Sequence, residues 1–534
     1  KIESISDPVY TPRKDFLSKC FQTVAKGRYI HYSHTAQHNI LPNLVALAGV
    51  LDAVPLVKSQ HEMLSRMKGM HMSMIFDAEK EFAGFSDLDT TRYMFENHAH
   101  KTTGMAKMDP GYVRAKKTAS PKLKKYPVMQ LADYVVKERL FNFYLLNGCL
   151  PHTKAHSLME IMTQPNHPNT THWPKPIAVF GYECESYGSG TGMFEAETNC
   201  VSSRNLGAVV SDYAPNLSFF SRKGPITEPL QQNSSPKEVY DESTTYLSLV
   251  IGDGDNIGFM RDRNLIWTDQ RLSYCKNESM TDNCFPISWT VSPHLLYTGP
   301  DILKYYFELG RETGQDFFLL PPSGYLYAYP SQMSDKDQDT FVQKTQEAAI
   351  LLNTSGTVDW EFTGTWKNAV THFFPRYAEK SIVRGLFAVN VPFNLPVWEF
   401  GRHEFYKILR QKNEDSKNAD VTGGGAVVLF RPREWRAVSG KTDIPFDRHN
   451  NLTPKDMAHE INGHAKGTVT YIYFTSDGGA TLDALYDLVP LLDSHVKVVS
   501  HEVATDMALQ RSKMKDGNKR THHLRNQDEI ETEA

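Results

Sequence analysis

The sequence lacks the features that mark membrane, nucleic-acid-binding and repeat proteins. It contains no continuous apolar run of about 18 residues, the length that a membrane-spanning helix needs. Its 58 Lys and Arg are outnumbered by 62 Asp and Glu, so the net charge of −4 offers no basic surface to nucleic acid. No repeat of fixed period is visible. We therefore expect neither a membrane span nor a nucleic-acid partner.

Cysteine is scarce, but its even count suits disulfide bonds. The chain has six Cys in 534 residues. Two closely spaced pairs suit short disulfide loops and leave one distant pair: Cys184 with Cys200, Cys275 with Cys284, and Cys20 with Cys149. Six cysteines allow 15 connectivities, so this pairing is one choice among many. Six buried thiols in a cytosolic protein are the alternative.

Asn-x-Ser/Thr sequons are more frequent than chance predicts. They indicate N-linked glycans on the surface of a secreted protein. The sequon asparagines are Asn169, Asn216, Asn233, Asn277, Asn353 and Asn451. The chain begins at Lys1 without an initiator Met or a signal peptide, which fits a processed extracellular chain. We therefore expect a secreted glycoprotein.

The length of the chain implies two or three domains. A polar stretch with prolines and a sequon, residues 227–243, makes the clearest boundary. One long amphipathic helix is predicted over residues 129–148. We predict an N-terminal α/β region (1–110), a second such region (111–235), a main domain (236–510) and a charged tail (511–534).

Within the main domain, apolar strand patterns alternate with helical patterns. The predicted helices cover residues 301–313, 335–352, 366–379, 399–412, 454–464 and 479–493. Such alternation predicts a parallel sheet with crossover helices. The fold class is therefore α/β, with a C-terminal (β/α)8-barrel-like domain preceded by a mixed α/β N-terminal region. An open doubly wound sheet would show the same alternation.

Carboxylates follow several of the predicted strands. The apolar strand over residues 246–252 runs directly into Asp253, Asp255 and Asn256. In α/β folds, ligands bind at the carboxyl ends of strands. Three more carboxylates lie at other predicted strand ends: Glu183, Asp212 and Glu361. Glycoside hydrolysis needs one carboxylic acid to protonate the leaving oxygen and a second carboxylate to attack the anomeric carbon or activate water. A helix cap or turn is the alternative role for any one of them.

Aromatic residues lie near the same strand ends, where their rings could stack on the C–H faces of a sugar. They are Trp289, Tyr325, Tyr327, Tyr329 and Trp360. Packing in a protein core is the alternative for each of these side chains.

Residues 246–330 resemble the family of putative glycoside hydrolases named for a Gly-x-Gly-Tyr-x-Tyr-Pro motif. In that family an apolar strand leads to Asp-Gly-Asp-Asn, here residues 253–256, and then to Trp-Thr-x-Ser-Pro, here residues 289–293. Residues 323–327 match the centre of the namesake motif, whereas Pro322 replaces its first Gly and Pro330 comes two residues late. The resemblance implies a separate N-terminal region and a C-terminal barrel-like hydrolase domain.

From the resemblance and the strand-end positions, we predict Asp255 as nucleophile or base and Asp253 as its partner or as a metal ligand. Glu361 or Glu183 would be the general acid, with its pKa raised by dry surroundings. The predicted carbohydrate-binding residues are Asn256, Trp289, Tyr325, Tyr327, Tyr329, Trp360 and Asp212. No cofactor is expected, apart from a divalent cation that Asp253 and Asp255 could hold.

Two other classes of function fit the same residues. One is a carbohydrate-binding or matrix glycoprotein that keeps the scaffold without turnover. The other is a metal-dependent glycosyltransferase, in which Asp253 and Asp255 hold a divalent ion against a nucleotide diphosphate.

Overall fold

The chain divides into two compact units in the computed structural model. One unit comprises Lys1–Ser189 with Asp212–Ser218, and the other Gly190–Ser211 with Phe219–Ala534. The predicted domain boundaries stay predictions. The structure describes residues 21–23, 25–33, 39–67, 69–108, 131–145, 148–181, 198–211, 214, 216–276, 284–380, 382–389, 400–401, 403–410, 425–437, 451–475 and 481–515.

The first unit holds two groups of parallel strands with helices between them. β1 pairs with β2 and β3, and β4 pairs with β5 and β6, all in parallel. The strands are β1 Arg28–His31, β2 Val54–Leu56, β3 Ser73–Asp77, β4 Met105–Lys107, β5 Phe141–Phe143 and β6 Ile177–Gly181. The helices are α1 Leu41–Leu51, α2 Lys58–Ser65, α3 Ala78–Glu81, α4 Asp87–His98, α5 Ala132–Glu138 and α6 Lys154–Met162.

The helix predicted over residues 129–148 is wrong in its second half. The observed helix α5 ends at Glu138, because Arg139 takes the left-handed conformation with φ 54°. The chain then extends into β5, where Phe141 and Phe143 are buried and pair with β4. Aromatic residues suit strands, and pairing with a neighbour overrides the helical spacing of the sequence.

The second unit is built around the strand that leads to the predicted site. Its strands are β7 Leu206–Val210, β8 Thr245–Ile251, β9 Ile287–Thr290, β10 Asp316–Leu319, β11 Gly356–Asp359, β12 Gly385–Ala388, β13 Tyr406–Arg410, β14 Ala426–Phe430, β15 Glu434–Trp435, β16 Val469–Phe474 and β17 Val496–Val499. One sheet has the order β10-β9-β8-β16-β15, with β17 also on β8, and its pairs are parallel. The other has the order β11-β12-β14-β13, with β13 antiparallel.

The α/β class is confirmed, but a closed (β/α)8 barrel is not. The described strands form separate sheets that do not close into a single one. A parallel bridge between Leu320 and Thr357 connects the two sheets at one place. The chain also passes from β14 in one sheet to β15 in the other across three residues.

Most of the predicted helices of this unit are present. The helices are α7 Leu217–Phe220, which spans the boundary between the units, α8 Ile257–Phe259, α9 Leu265–Lys276, α10 Leu295–Thr298, α11 Pro300–Thr313, α12 Asp335–Leu352, α13 Trp366–Asn368, α14 Pro454–Asn462 and α15 Asp483–Leu488, and residues 501–515 are also helical. Ser334 and Thr453 cap α12 and α14, since their side chains accept backbone N–H bonds. The helix predicted over 399–412 is wrong, because this segment supplies β13 as the edge partner of β14.

Side chains from both sheets share one packed core. It includes Val250 of β8, Val358 of β11, Phe430 of β14 and Tyr471 of β16. The ring of Phe387 stacks on that of Phe430 with centroids 4.7 Å apart. Because large side chains fill this interior, a ligand has access only at the ends of the strands.

None of the helices in the described part of the chain combines the length and the apolar character that crossing a membrane requires.

The described cysteines are all oxidised. Cys275 and Cys284 form a disulfide, as their spacing predicts. Cys149 and Cys200 are disulfide-bonded as well. Their predicted partners, Cys20 and Cys184, lie outside the described residues, so that pairing stays a prediction.

Candidate functional site

The end of β8 is shaped by two glycines that have no room for a side chain. A Cβ at Gly252 would lie 2.2 Å from the ring of Tyr473, and one at Gly254 would lie 1.9 Å from the carbonyl oxygen of Thr290. The Gly254 N–H donates to the Thr290 hydroxyl at 2.9 Å, and that hydroxyl donates to the carbonyl oxygen of Ile251 at 2.8 Å. The alternation of Gly and Asp therefore allows the chain to turn tightly against β9 and β16.

Asp253 is held on both sides by residues of β16 and its extension. Its backbone N–H donates to the Tyr473 hydroxyl at 3.1 Å, and its Oδ2 accepts from the Thr475 hydroxyl at 2.9 Å. Its own backbone is left-handed, with φ 61°. A left-handed backbone is uncommon outside Gly, although Asp and Asn tolerate it best. The carboxylate is therefore fixed in position at the end of the sheet.

Asn256, predicted to bind carbohydrate, caps a helix. Its Oδ1 accepts from the backbone N–H groups of Gly258 at 2.9 Å and Phe259 at 3.2 Å. This is the N-cap geometry that starts α8. The Asn of the Asp-Gly-Asp-Asn segment thus sets the direction of the chain after the carboxylates.

A third carboxylate, Glu434, lies on the other side of Tyr473. The two residues are register partners in the parallel pair of β15 and β16, so their side chains share a face of the sheet. The next register pair, Trp435 and Phe474, brings its rings within 5.1 Å on the opposite face. Glu434 is only 4% exposed, and its Oε1 accepts from the Arg436 Nε at 2.9 Å.

The side chain of Tyr473 lies in the electrostatic field of three carboxylates. Burial raises the pKa of Tyr473 well above its usual value, and the charges of Asp253, Asp255 and Glu434 raise it further. Of the three residues, Asp253 is in direct contact with the phenol, through the hydrogen bond from its backbone N–H. Tyr473 therefore remains protonated and offers a neutral hydroxyl among three carboxylates.

Asp255 lines a narrow crevice beside the tyrosine loop, residues 323–330. The crevice has a cavity volume of only about 10 Å³, and its walls include His294, Tyr325 and Tyr327. Both tyrosines are partly exposed. The structure thus brings Asp255 together with two of the three tyrosines predicted to bind carbohydrate.

His294 fixes the tyrosine loop and was missed by the sequence analysis. Its Nε2 lies 2.7 Å from the carbonyl oxygen of Tyr325, which can only accept, so Nε2 carries the proton. Its Nδ1 then accepts from the hydroxyl of Tyr297. Burial lowers the pKa of His294 to about 4, so the ring is neutral at physiological pH. The position of His294 after the Trp-Thr-x-Ser-Pro segment was the available signal.

The rest of the tyrosine loop faces the core. The Ser323 hydroxyl donates to the carbonyl oxygen of Ala328 at 2.9 Å and accepts from the Trp360 N–H at 3.2 Å. The Trp360 ring lies 4.5 Å from that of Tyr327 and 4.9 Å from that of Tyr329. Because Tyr329 and Trp360 are buried, they support the loop, and Tyr325 and Tyr327 form its open side.

Glu361, predicted as the general acid, follows β11 by two residues and is turned away from the core. Val358 and Trp360 pack in the core, so Asp359 and Glu361 point the other way along the extended chain. Both are 1% exposed. Glu361 accepts from Ser331, at 2.9 Å from its N–H and 2.6 Å from its hydroxyl. This geometry anchors the segment that follows the tyrosine loop.

The pKa of Glu361 nevertheless matches the predicted direction. Burial raises it to about 8, the charge of Asp359 adds to the rise, and the hydrogen bonds from Ser331 oppose it. Burial raises the pKa of Asp359 to about 8 as well. Neither oxygen of Asp359 has a hydrogen-bond partner within the described part of the chain. The two side chains form a buried carboxyl pair that holds protons near neutral pH.

The predicted residue Trp289 does not line the crevice. Trp289 is buried, and its Nε1 donates to Asp316 Oδ1 at 2.8 Å. Asp316 also pairs with the fully buried Arg271 at 3.2 Å, so this group stabilises the β9–β10 edge. Glu183 and Asp212 lie outside the described residues. No group of three or more His, Cys, Asp or Glu arranged to hold a metal ion occurs among the residues that the structure describes.

Comparison with known families identifies the segment that carries this site. Residues 243–394 match the family model of the GxGYxYP putative glycoside hydrolase C-terminal domain. The resemblance seen in the sequence is thereby confirmed for this segment. It contains Asp253, Asp255 and the tyrosine loop, whereas Glu434 lies beyond it. No significant match was found among curated proteins.

A solved structure shares the fold over most of the chain. The crystal structure of a putative hydrolase from Bacteroides thetaiotaomicron VPI-5482 has a TM-score of 0.65 and 18% identity, covering 92% of this chain and 82% of that one. At this identity the likeness shows the fold alone. A putative polysaccharide deacetylase from Mycobacterium smegmatis has a TM-score of 0.32 and 12% identity, over 53% of this chain and 96% of that one. A 4-alpha-glucanotransferase from Thermococcus litoralis has a TM-score of 0.30 and 11% identity, over 49% and 40%.

Proposed function

We propose that the second unit hydrolyses glycosidic bonds at the carboxyl ends of β8 and β15. The observation that carries the proposal is the position of Asp253 and Asp255 just beyond β8, with Asp253 bonded to Tyr473, Glu434 paired in register with Tyr473, and Asp255 in a crevice lined by tyrosine. Glycoside hydrolysis needs two carboxyl groups on either side of the scissile bond. The family match of the segment that holds Asp253 and Asp255 supports the same chemistry.

Asp255 and Glu434 form the working pair in this proposal, one as acid and the other as base. Strand β16 lies between β8 and β15, and neighbouring strands are about 4.8 Å apart, so the backbones of β8 and β15 lie roughly 10 Å apart. Inverting glycosidases hold their two carboxyl groups roughly 6.5–9.5 Å apart to admit a water molecule, and retaining ones hold them roughly 5–5.5 Å apart. We propose inversion at the anomeric carbon, because the two residues belong to strands that are not neighbours and the wider spacing suits such a pair.

The other residues of the site stabilise the reacting centre and orient the sugar. Asp253 is tied to Thr475 and Tyr473, so it supplies a fixed negative charge beside the reacting centre. Tyr325 and Tyr327 offer the aromatic faces on which the sugar stacks. Glu361 anchors the segment that follows the tyrosine loop. The proposal gives it this structural role in place of the predicted role as general acid.

The proposal is tested with a panel of soluble α- and β-linked glucans, xylans and chitin oligosaccharides. Release of reducing ends identifies the substrate, and proton NMR of the first product shows the anomer. We expect Glu434→Gln to lose one limb of the bell-shaped pH profile: the acidic limb if Glu434 is the base, the alkaline limb if it is the acid. Glu460→Gln is the matched control, because Glu460 also pairs with an arginine, Arg433, at 2.6 Å. Equal profiles for both variants would contradict the proposal.

Carbohydrate binding without turnover is the second candidate, because the crevice at Asp255 is narrow. Calorimetric binding of an oligosaccharide by the unmodified protein, with no reducing ends released over days, would favour it. Loss of activity with a chelator would instead favour the metal-dependent glycosyltransferase.

A further inference from the structure

The sequon asparagines differ in what their side-chain amides do. The Nδ2 of Asn169 donates to the carbonyl oxygens of Phe95 at 3.0 Å and Glu96 at 3.2 Å. The Nδ2 of Asn233 donates to those of Gly310 at 2.6 Å and Asp316 at 3.1 Å. N-glycosylation replaces one of the two amide hydrogens with a sugar carbon. A glycan at either position would break one of these bonds and place a sugar against a carbonyl oxygen.

Asn353 is free of such constraints. It is exposed at the C-terminal end of α12, in the left-handed conformation with φ 51°. Its side chain makes no hydrogen bond within the described part of the chain, although its backbone oxygen accepts from Gln232. Its amide nitrogen can therefore carry a sugar without loss of a native contact.

A cavity of about 490 Å³ opens beside Asn353. This volume lies within the range of roughly 300–1,000 Å³ typical of small-ligand pockets. Its walls combine apolar and charged groups, namely Pro229, Pro236, Ile350, Lys237, Arg384 and Asp506. Ile350 is 45% exposed, which is unusual for so large an apolar side chain.

The lining suits a sugar residue better than an apolar ligand. The apolar side chains can cover the C–H face and the acetyl methyl group of an N-acetylhexosamine. The charged groups can bond its hydroxyls, and Arg384 and Asp506 are already held in place by their ion pair at 2.8 Å. Glu502 at the same wall accepts from the Ser235 hydroxyl at 2.9 Å, which keeps the linker before β8 against the cavity.

We propose that Asn353 carries an N-linked glycan whose first N-acetylglucosamine residues rest in this cavity, and that Asn169 and Asn233 stay unmodified. The proposal requires passage through an oxidising secretory compartment, which the disulfide-bonded cysteines favour. It does not depend on the proposed hydrolysis. The cavity lies at the amino ends of β11 and β12, which Ser355 and Arg384 immediately precede. The glycan would thus sit away from the carboxyl strand ends of the candidate site.

The first experiment measures site occupancy. The full chain is secreted from a eukaryotic cell line behind a heterologous signal peptide. The protein is purified in its folded form, then denatured and treated with peptide-N-glycosidase in ¹⁸O water. Mass spectrometry of the peptides then marks each occupied asparagine. We expect label at Asn353 and none at Asn169 or Asn233. An unlabelled Asn353, or label at Asn233 in protein that is correctly folded, would overturn the proposal.

The second experiment tests whether the glycan rests in the cavity. Release by the same enzyme is timed on native and on denatured protein, with the glycan of the exposed Asn216 as the internal reference. We expect native release from Asn353 to be at least tenfold slower than from Asn216, and equal rates after denaturation. Ile350→Ala should speed native release from Asn353. Equal native rates at the two positions would refute the seated glycan.

Two variants separate the sugar from the asparagine. Asn353→Gln removes the attachment atom, and Ser355→Ala removes the sequon while the asparagine stays. Both should lose the same glycan mass and lower the unfolding temperature while hydrolysis stays unchanged. The fall should be somewhat larger for Asn353→Gln, because Gln tolerates the left-handed backbone of this position less well than Asn. A fall in stability with Asn353→Gln alone would assign the effect to the asparagine side chain and contradict a structural role for the sugar.

Discussion

The buried carboxyl pair on β11 gives the protein a pH-dependent stability that one substitution should remove. Asp359 has a pKa of about 8 in the folded chain because of its burial, against roughly 4 for an exposed Asp. The folded state therefore holds a proton that the unfolded chain releases above pH 4. The stabilisation is fully present below pH 4 and is lost as the pH rises through 8.

The size of the effect follows from linkage. Between pH 5 and pH 8, a carboxyl with these two pKa values lowers the free energy of unfolding by on the order of 3 kcal/mol. In Asp359→Asn the side chain at this position cannot ionise. The free energy of unfolding of the variant should therefore fall by about 3 kcal/mol less between pH 5 and pH 8 than that of the unmodified protein. A new buried amide carries its own cost, but that cost does not change with pH. The difference in slope, and not the absolute stability, is the prediction.

Urea unfolding followed by tryptophan fluorescence measures this slope at pH 5, 6, 7 and 8. The ring of Trp360, next to Asp359, reports directly on the region. Glu361→Gln should show a similar flattening, since burial raises the pKa of Glu361 to about 8 too. Glu460→Gln, at a more exposed ion pair, should keep the slope of the unmodified protein. The same slope in Asp359→Asn and the unmodified protein would refute the reasoning.

Three further changes test how the site is held. Gly254→Ala places a methyl group against the Thr290 carbonyl, so it should lower the free energy of unfolding by about 3 kcal/mol or more. Thermal unfolding measures this change, and an unchanged midpoint would contradict the tight turn. Asp316→Asn leaves Arg271 buried without its carboxylate, so it should lower the free energy of unfolding in urea by roughly 3–5 kcal/mol. An unchanged free energy of unfolding would show that the ion pair is dispensable. Tyr473→Phe removes the hydroxyl that accepts from the Asp253 N–H, so it should lower the free energy of unfolding by about 1 kcal/mol and shift the pH profile of hydrolysis. An unshifted profile would place the phenol outside the site.

The strand and the carboxylates at its end could be predicted because the signal is local. A largely apolar run that stops at Gly-Asp-Gly-Asp marks both the strand and its edge, and β8 ends at Ile251 as that pattern requires. The Asp255 position beside the tyrosines also agrees with the family pattern. Composition and spacing are enough to predict such features, because the residues that form them lie within a few positions of each other in the sequence.

Glu434 could not be found in this way. It belongs to a strand of two residues whose place is set by pairing with β16, more than thirty residues later in the chain. Its side-chain direction follows from that register and not from a repeating pattern. The sequence therefore favours an acid at the end of a strand with a clear apolar run, and Glu361 matches that pattern better than Glu434.

The direction of the Glu361 side chain could not be predicted either, for a different reason. Every residue of β11 is buried, so the sequence does not distinguish the face towards the core from the face towards the helices. Only the packing of Val358 and Trp360 in the core shows that Glu361 points away from it. Similarly, the helix predicted over residues 129–148 had the right spacing, but Arg139 and the pairing of β5 end it early.

The most direct test of the account is the rate of hydrolysis by Asp255→Asn on the substrate that the unmodified protein cleaves. Asn keeps the size of the side chain and removes its charge, so the crevice and the binding of the oligosaccharide should remain. The account predicts a fall in kcat of roughly 10²- to 10⁴-fold, the usual contribution of an acid or base, with circular dichroism and binding unchanged. A variant that cleaves at the rate of the unmodified protein would contradict the assignment of the site to the end of β8.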